Sequence, residues 1–380
     1  MIDVLVVAAA IGTAFQKPTF PGNLSIVDPV FVLVNLVAFR YVLIRANPGS
    51  ELLRRLLPWL WLLCVSTIVT MIRVGIPFWL VSTFAREILA VITFAGLVAV
   101  LAGRPRTIDR ARIAFLAAVA FVALTNIFEI GGRAGERQAG LTVRNVNYAA
   151  HLLAMGLLVL GTARNLRRSL RWPLAGVYLL ALVRTGSFGA LLSLLAATVY
   201  VVWRATSHFR GQGRVLVRIV SLAALLAVGA WGVSSIRLAE FDVGSGVDSN
   251  RLTRSESSRI DTWRYGLEQL RSHPYGIGPG GYEFLPEKAG TSDEMHSDPL
   301  AFLVEHGPLG LVAFLGIAYV LWRAAPPASA SRVVLVAFAA GGLVRQTFTF
   351  RYIWIALAIV LASDLLDRRQ PAQDPVMKAG

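Results

Sequence analysis

The residues best suited to chemistry gather between Arg237 and Pro299. Arg251, Arg254, Arg259, Arg264 and Arg271 come first, then the run His273-Pro274-Tyr275-Gly276-Ile277-Gly278-Pro279-Gly280-Gly281-Tyr282, and finally His296-Ser297-Asp298-Pro299. Proline favours the first turn of a helix, so Pro299 marks a helix start with Ser297 or Asp298 as its cap. A helix amino terminus carries partial positive charge and free N–H groups. His296 beside it can meet an anion and take up a proton, as a general base must. The plain alternative is an interfacial histidine hydrogen-bonded at a helix start. Arginine, with a fixed fork of donors, suits phosphate and diphosphate.

Within this segment Ile260, Trp263, Leu267 and Leu270 recur at helical spacing. Ser258 with Asp261 offers a capping box and His273-Pro274 a stop, which predicts an amphipathic helix. Its apolar face lies on a bundle or an interface and leaves Arg259 and Arg264 toward a cavity, solvated surface being the other possibility. No strand precedes the glycine-rich run, so a dinucleotide fingerprint is rejected and a tight turn accounts for the glycines. The other histidines promise less. His151 lies in an apolar stretch behind Asn145 and Asn147, where bonding to a neighbouring helix is expected. His208 sits among basic residues, His273 at a helix stop, and His306 with Glu305 above Gly307. None has zinc-site spacing, so no protein-bound metal is expected, and no cofactor.

The elements that must hold these residues are apolar. Hydrophobic residues make up 56% of the 380, the mean hydropathy is +0.62, and the apolar blocks are long enough to cross a bilayer. The expected fold is an all-α, polytopic membrane bundle of about twelve transmembrane helices. Helices one to nine occupy 1–236, an extracytoplasmic loop 237–298, helices ten to twelve 299–366 and a cytoplasmic tail 367–380. Arginines recur in every second loop, which sets the amino terminus inside and the long loop outside. The formal net charge of +15 is therefore a matter of membrane lipids and insertion, and no nucleic-acid partner is expected. The single cysteine, Cys64, offers neither a disulfide framework nor a thiolate site. A second set of arginines opposes the bias: Arg73, Arg133, Arg137, Arg144, Arg184, Arg345, Arg351 and those of the loop. Singly each can snorkel or pair; as a set on one face they point to an anionic ligand.

In order and spacing, Ser258-Arg259-Ile260-Asp261-Thr262-Trp263, the His273 to Tyr282 run, His296-Ser297-x-x-Leu300 and Glu305-x-Gly307-x-Leu309-Gly310 resemble the signature of the O-antigen ligase and O-antigen polymerase superfamily. Weaker echoes lie in Asn145 to Ala149 and Thr185 to Ala190. The resemblance implies a metal-independent glycosyltransferase of the bacterial inner membrane. It would move a glycan from an undecaprenyl-diphosphate-linked donor to a glycan or lipid acceptor at the extracytoplasmic face. By that likeness His296 activates the acceptor hydroxyl and Arg259 holds the diphosphate, with Arg184, Arg264 and Arg144 as further diphosphate candidates and Trp263, Tyr282 and Asp298 against the acceptor or sugar. The family often carries Ser-Arg-Gly where this chain has Ser187-Phe188-Gly189, so Arg184, one turn earlier, is the candidate replacement. Ser297 also stands where asparagine is common. A lipid-linked oligosaccharide flippase or another transporter is the competing class, disfavoured because the polar groups gather at one face rather than the midplane. Polymerase and ligase are not separated by the sequence, nor are the sugar and stereochemistry.

Overall fold

A computed structural model of the chain describes residues 2–15, 18–20, 24–25, 28–44, 47–128, 145–163, 165–208, 215, 218–220, 222–223, 251–285 and 295–369. The ninth expected span, the first part of the long loop, the tail after 369 and Arg133, Arg137 and Arg144 lie outside the described residues, wholly or for the most part.

The described helices are α1 (Ile2–Gly12), α2 (Asp28–Ile44), α3 (Pro48–Val74), α4 (Phe78–Leu101), α5 (Pro105–Ile127), α6 (Val146–Thr162), α7 (Arg168–Thr185), α8 (Phe188–Ala205), α9 (Arg251–Ser272), α10 (Asp298–Ala324), α11 (Ala330–Val344) and α12 (Arg351–Arg369). One departure from an all-helical chain is a short antiparallel pair, β1 (Pro18–Phe20) and β2 (Leu24–Ser25), with Pro18 opposite Ser25 and Phe20 opposite Leu24. Among the described residues α3, α4, α8 and α10 are by length and apolarity able to cross a membrane, and shorter apolar helices accompany them. The chain is a helical membrane protein.

Local chemistry sets the helix starts. Asn47 and Ser50 form a reciprocal capping box ahead of α3 at 2.9 Å in each direction, and Asn145 accepts from the Asn147 N–H at 2.8 Å to cap α6. Helix α12 is apolar on every side from Tyr352 to Ala362 and buried throughout, so it is an inner helix of the bundle rather than a lipid-facing one. Its indole Trp354 donates to the Phe348 carbonyl at 2.6 Å and packs on Phe348, Phe94 and Phe338.

Polar contacts cluster at the two ends of the bundle, with a few buried ones between, such as Thr93 donating to Asn35 at 2.8 Å. At one end Asp3 meets Thr107, Arg110 and Arg104 at 2.8, 3.4 and 3.5 Å, and Arg112 donates to Ser363 at 2.9 Å. At the opposite end lie the starts of α4, α6, α8, α10 and α12, and the loop residues of interest are assembled there.

Candidate functional site

Helix α10 begins as its sequence requires: Ser297 is the cap residue and Pro299 falls in the first turn. The Ser297 side chain makes no capping bond. Asp298 instead turns inward, 1% exposed. Its Oδ1 accepts from the Thr347 and Phe348 N–H groups at 2.8 and 3.0 Å, and its Oδ2 from the Thr347 hydroxyl at 2.6 Å. That clamp ties the start of α10 to the connection between α11 and α12. Gly342 of α11 makes room for it, since a Cβ there would come within 2.5 Å of Asp298 Oδ2.

The same clamp delivers Arg345, two residues before Thr347 and 5% exposed, whose Nη1 lies 3.1 Å from His296 Nδ1. His296 adopts φ 52°, a left-handed conformation rare outside glycine. The residue before it is held from α9, where the Trp263 indole N–H donates to the Met295 carbonyl at 2.8 Å. Gly266, three residues along α9, lets the Met295 side chain approach; a Cβ there would stand 2.6 Å from its methyl carbon.

Helix α9 departs in register from expectation. It already runs at Arg251, so Ser258 lies inside it rather than at its start. Ile260 and Leu267 are 62% and 43% exposed, whereas Thr262 and Gly266 are buried and Trp263, Tyr265 and Leu270 pack on a small core of Ile277, Tyr282, Met295, Ala301 and Val304. The buried face is set by where Gly266 meets Met295, a partner distant in sequence, which periodicity alone does not reveal. The stop at His273-Pro274 is as expected.

The glycine-rich run performs a more specific task than a turn. Helix α10 kinks at Gly307, φ 71° and ψ −174°, followed by Pro308. Pro308 has no N–H for the Val304 carbonyl, and the kink frees the next carbonyls as well. Ile277 N–H fills Val304 O at 3.0 Å, Gly278 N–H fills Glu305 O at 2.8 Å, and Ser66 of α3 donates to His306 O. Gly276 and Gly307 touch backbone to backbone: a Cβ on Gly276 would lie 2.4 Å from the Glu305 carbonyl oxygen. Around this wedge His306 Nε2 stands 3.1 Å from Glu87 Oε2, its Nδ1 3.1 Å from the Thr67 hydroxyl, and Glu305 Oε2 accepts the Gly280 N–H at 2.8 Å. Glu87, Glu305 and His306 are all buried with ligand-type atoms within 4.8 Å of one another. These side chains are partners of the loop, of α3 and of each other. Nothing in the sequence of α4 pairs Glu87 with His306, more than two hundred positions away.

The structure thus brings together His296, Trp263, Asp298 and Arg345. Trp263 and Asp298, expected against the sugar, here position the backbone on either side of His296. Tyr282, also expected there, is 1% exposed inside the small core, its ring 6.1 Å from that of Tyr265. Arg264 is exposed on α9 and Arg184 is exposed on the last turn of α7. Arg259 lies on α9 one turn before Trp263, its side chain outside the described part, and Arg144 lies outside the described residues altogether. His151 is buried in a slot between Gly189 and Gly341, and its Nε2 makes no hydrogen bond among the described residues.

A groove of about 630 Å³ runs between α10 and α11, lined by Phe314, Leu315, Tyr319, Trp322, Phe338 and Leu343 among others, and it ends at Asp298 and Pro299 beside this cluster.

No curated protein matches the chain. Residues 173–315 match the family model described as O-Antigen ligase, a stretch that runs from α7 into α10 and takes in the glycine wedge and His296. The matched stretch is the one whose ordered motifs resemble the O-antigen ligase and polymerase superfamily.

Proposed function

We propose that the protein is a glycosyltransferase that moves a glycan from an undecaprenyl diphosphate carrier to an acceptor hydroxyl at the outer face of the bacterial inner membrane, as a surface-polysaccharide polymerase or ligase. The observation that carries the proposal is the seat of His296: at the amino terminus of a membrane helix, beside the buried guanidinium of Arg345 at 3.1 Å, within the stretch that matches the ligase family. An imidazole, a cation and free helix N–H groups in one place suit a reaction in which an anion departs.

In the proposed step a ring nitrogen of His296 takes the proton of the acceptor hydroxyl while that oxygen bonds to the anomeric carbon. The bond from the anomeric carbon to the diphosphate oxygen breaks, and its electron pair leaves on the diphosphate. Arg259 remains our candidate for the diphosphate, because its backbone position lies one turn from Trp263, which holds the residue before His296. Arg264, Arg184 and Arg144 are secondary candidates for the same anion. The donor and the acceptor, glycan or lipid, are the proposed partners. A flippase requires no positioned base, so the arrangement around His296 favours the enzyme.

His296→Ala is expected to lower glycan transfer about a hundredfold or more, the usual scale of a general base. The assay uses protein purified in detergent, a defined lipid-linked donor and two acceptors. Wild-type-like turnover by the variant at equal folded amount would remove His296 from the chemistry. Absence of turnover by the wild type, together with transport of the donor across vesicles, would support the flippase.

A further inference from the structure

A guanidinium has donors and no acceptor. In the 3.1 Å contact between Arg345 Nη1 and His296 Nδ1, the ring nitrogen must therefore supply the lone pair. A neutral imidazole with its lone pair on Nδ1 carries its proton on Nε2. The one ring nitrogen able to take a proton from an acceptor hydroxyl is thus the nitrogen that Arg345 occupies. We propose that Arg345 is a positioning residue that holds His296 Nδ1 as an acceptor in the free protein and yields it when the donor's diphosphate binds, so that the base is exposed only with the donor in place. This rests on the glycosyltransferase reading above.

The surroundings support such an exchange. Both backbones are fixed: Thr347 and Phe348 are clamped by Asp298 at 2.6 to 3.0 Å, and Met295 is held by Trp263 at 2.8 Å. Movement is left to the two side chains. Arg345, 5% exposed, has lost most of its water and gives a charge-assisted bond to a neutral ring. An incoming diphosphate offers anionic oxygens, and hydrogen bonds in which both partners are charged are the stronger kind. The start of α10 adds partial positive charge at the same point. A diphosphate within reach of the guanidinium competes with the imidazole for it, and its transfer frees Nδ1 for the acceptor proton. Donor binding then precedes activation of the acceptor, and without a donor the ring does not activate water.

The experiment is nitrogen-15 NMR of histidine-labelled full-length protein in bilayers, with the His296 signals assigned by their loss in His296→Gln. In the free wild type Nε2 is expected to be protonated and Nδ1 to show the signature of a hydrogen-bonded acceptor. Saturating undecaprenyl diphosphate, which cannot react further, is expected to shift Nδ1 toward the unbonded acceptor position. Arg345→Leu is expected to lose the fixed tautomer and about a hundredfold in kcat, and Arg345→Lys, which keeps a donor, to recover part of both. A protonated Nδ1 in the free protein overturns the proposal, as does an Nδ1 signal unmoved by diphosphate that a separate titration shows to be bound. Failure to bind the diphosphate at all overturns this proposal and the glycosyltransferase reading together.

Discussion

At the scale of single residues, the division of labour around His296 separates groups that could react from groups that hold them. Asp298 is the sharpest instance. A carboxylate at a helix start beside a histidine looks like a sugar contact, yet both of its oxygens are taken up by Thr347 and Phe348. Asp298→Ala leaves those buried donors without an acceptor, each worth about 1–3 kcal/mol, so a clear fall in thermal stability of the purified protein is expected alongside lost activity. Asp298→Asn, which keeps an acceptor oxygen, should fall between. A sugar-contacting Asp298 would instead give Ala and Asn variants that melt with the wild type and lose only activity. The sequence made His296 and its helix start visible, because Pro299 and the cap residues are local signals. Arg345 is legible only as one of the arginines that oppose the bias; its contact with the ring spans 49 positions from a connection outside the matched stretch, and no local signal marks it.

At the scale of elements, the wedge of 276–280 into the kink of α10 explains why glycines crowd this stretch. A kinked membrane helix has carbonyls that neither lipid nor the helix itself can satisfy, and here the N–H groups of Ile277 and Gly278 satisfy them. The kink in turn sets the angle at which the first turns of α10, and so His296, meet α11. Gly276 stands at φ 95° with no room for a Cβ, so Gly276→Ala is expected to destabilise by about 1–3 kcal/mol and to open the 273–285 segment to protease. Pro308→Ala, which adds an N–H at an exposed position, is expected to cost less than about 1 kcal/mol. Equal effects of the two would show that the kink is set by Pro308 rather than by the loop. The described apolar helices fall on apolar blocks of the sequence, and Pro299 marks the start of α10. The register of α9 was not legible, because its inner face follows a contact between Gly266 and Met295 rather than its own periodicity, and Ile260 and Leu267 remain exposed as a result.

At the scale of the whole molecule, apolar packing makes up most of the interior, with α12 enclosed within it. The lipid-linked donor proposed above has a charged head that would reach Arg345 and His296 and a hydrocarbon tail that would stay in the bilayer. In the proposed reading the groove between α10 and α11 is the place for the tail, since it is lined by apolar side chains of both helices and reaches Asp298 and Pro299. Burying isoprenoid carbons there contributes about 25 cal/mol per Å² only to the extent that the groove covers them better than lipid does, so the benefit should grow with tail length until the groove is full. Filling it tests this. Ala339 lies on the α11 wall, and Ala339→Trp is expected to reduce kcat/KM about tenfold, or 1.4 kcal/mol, with a long polyprenyl donor while leaving a short-chain donor within about twofold. The head-group chemistry at His296 is untouched by this change, so a loss shared equally by long and short donors would place the tail elsewhere on the bundle.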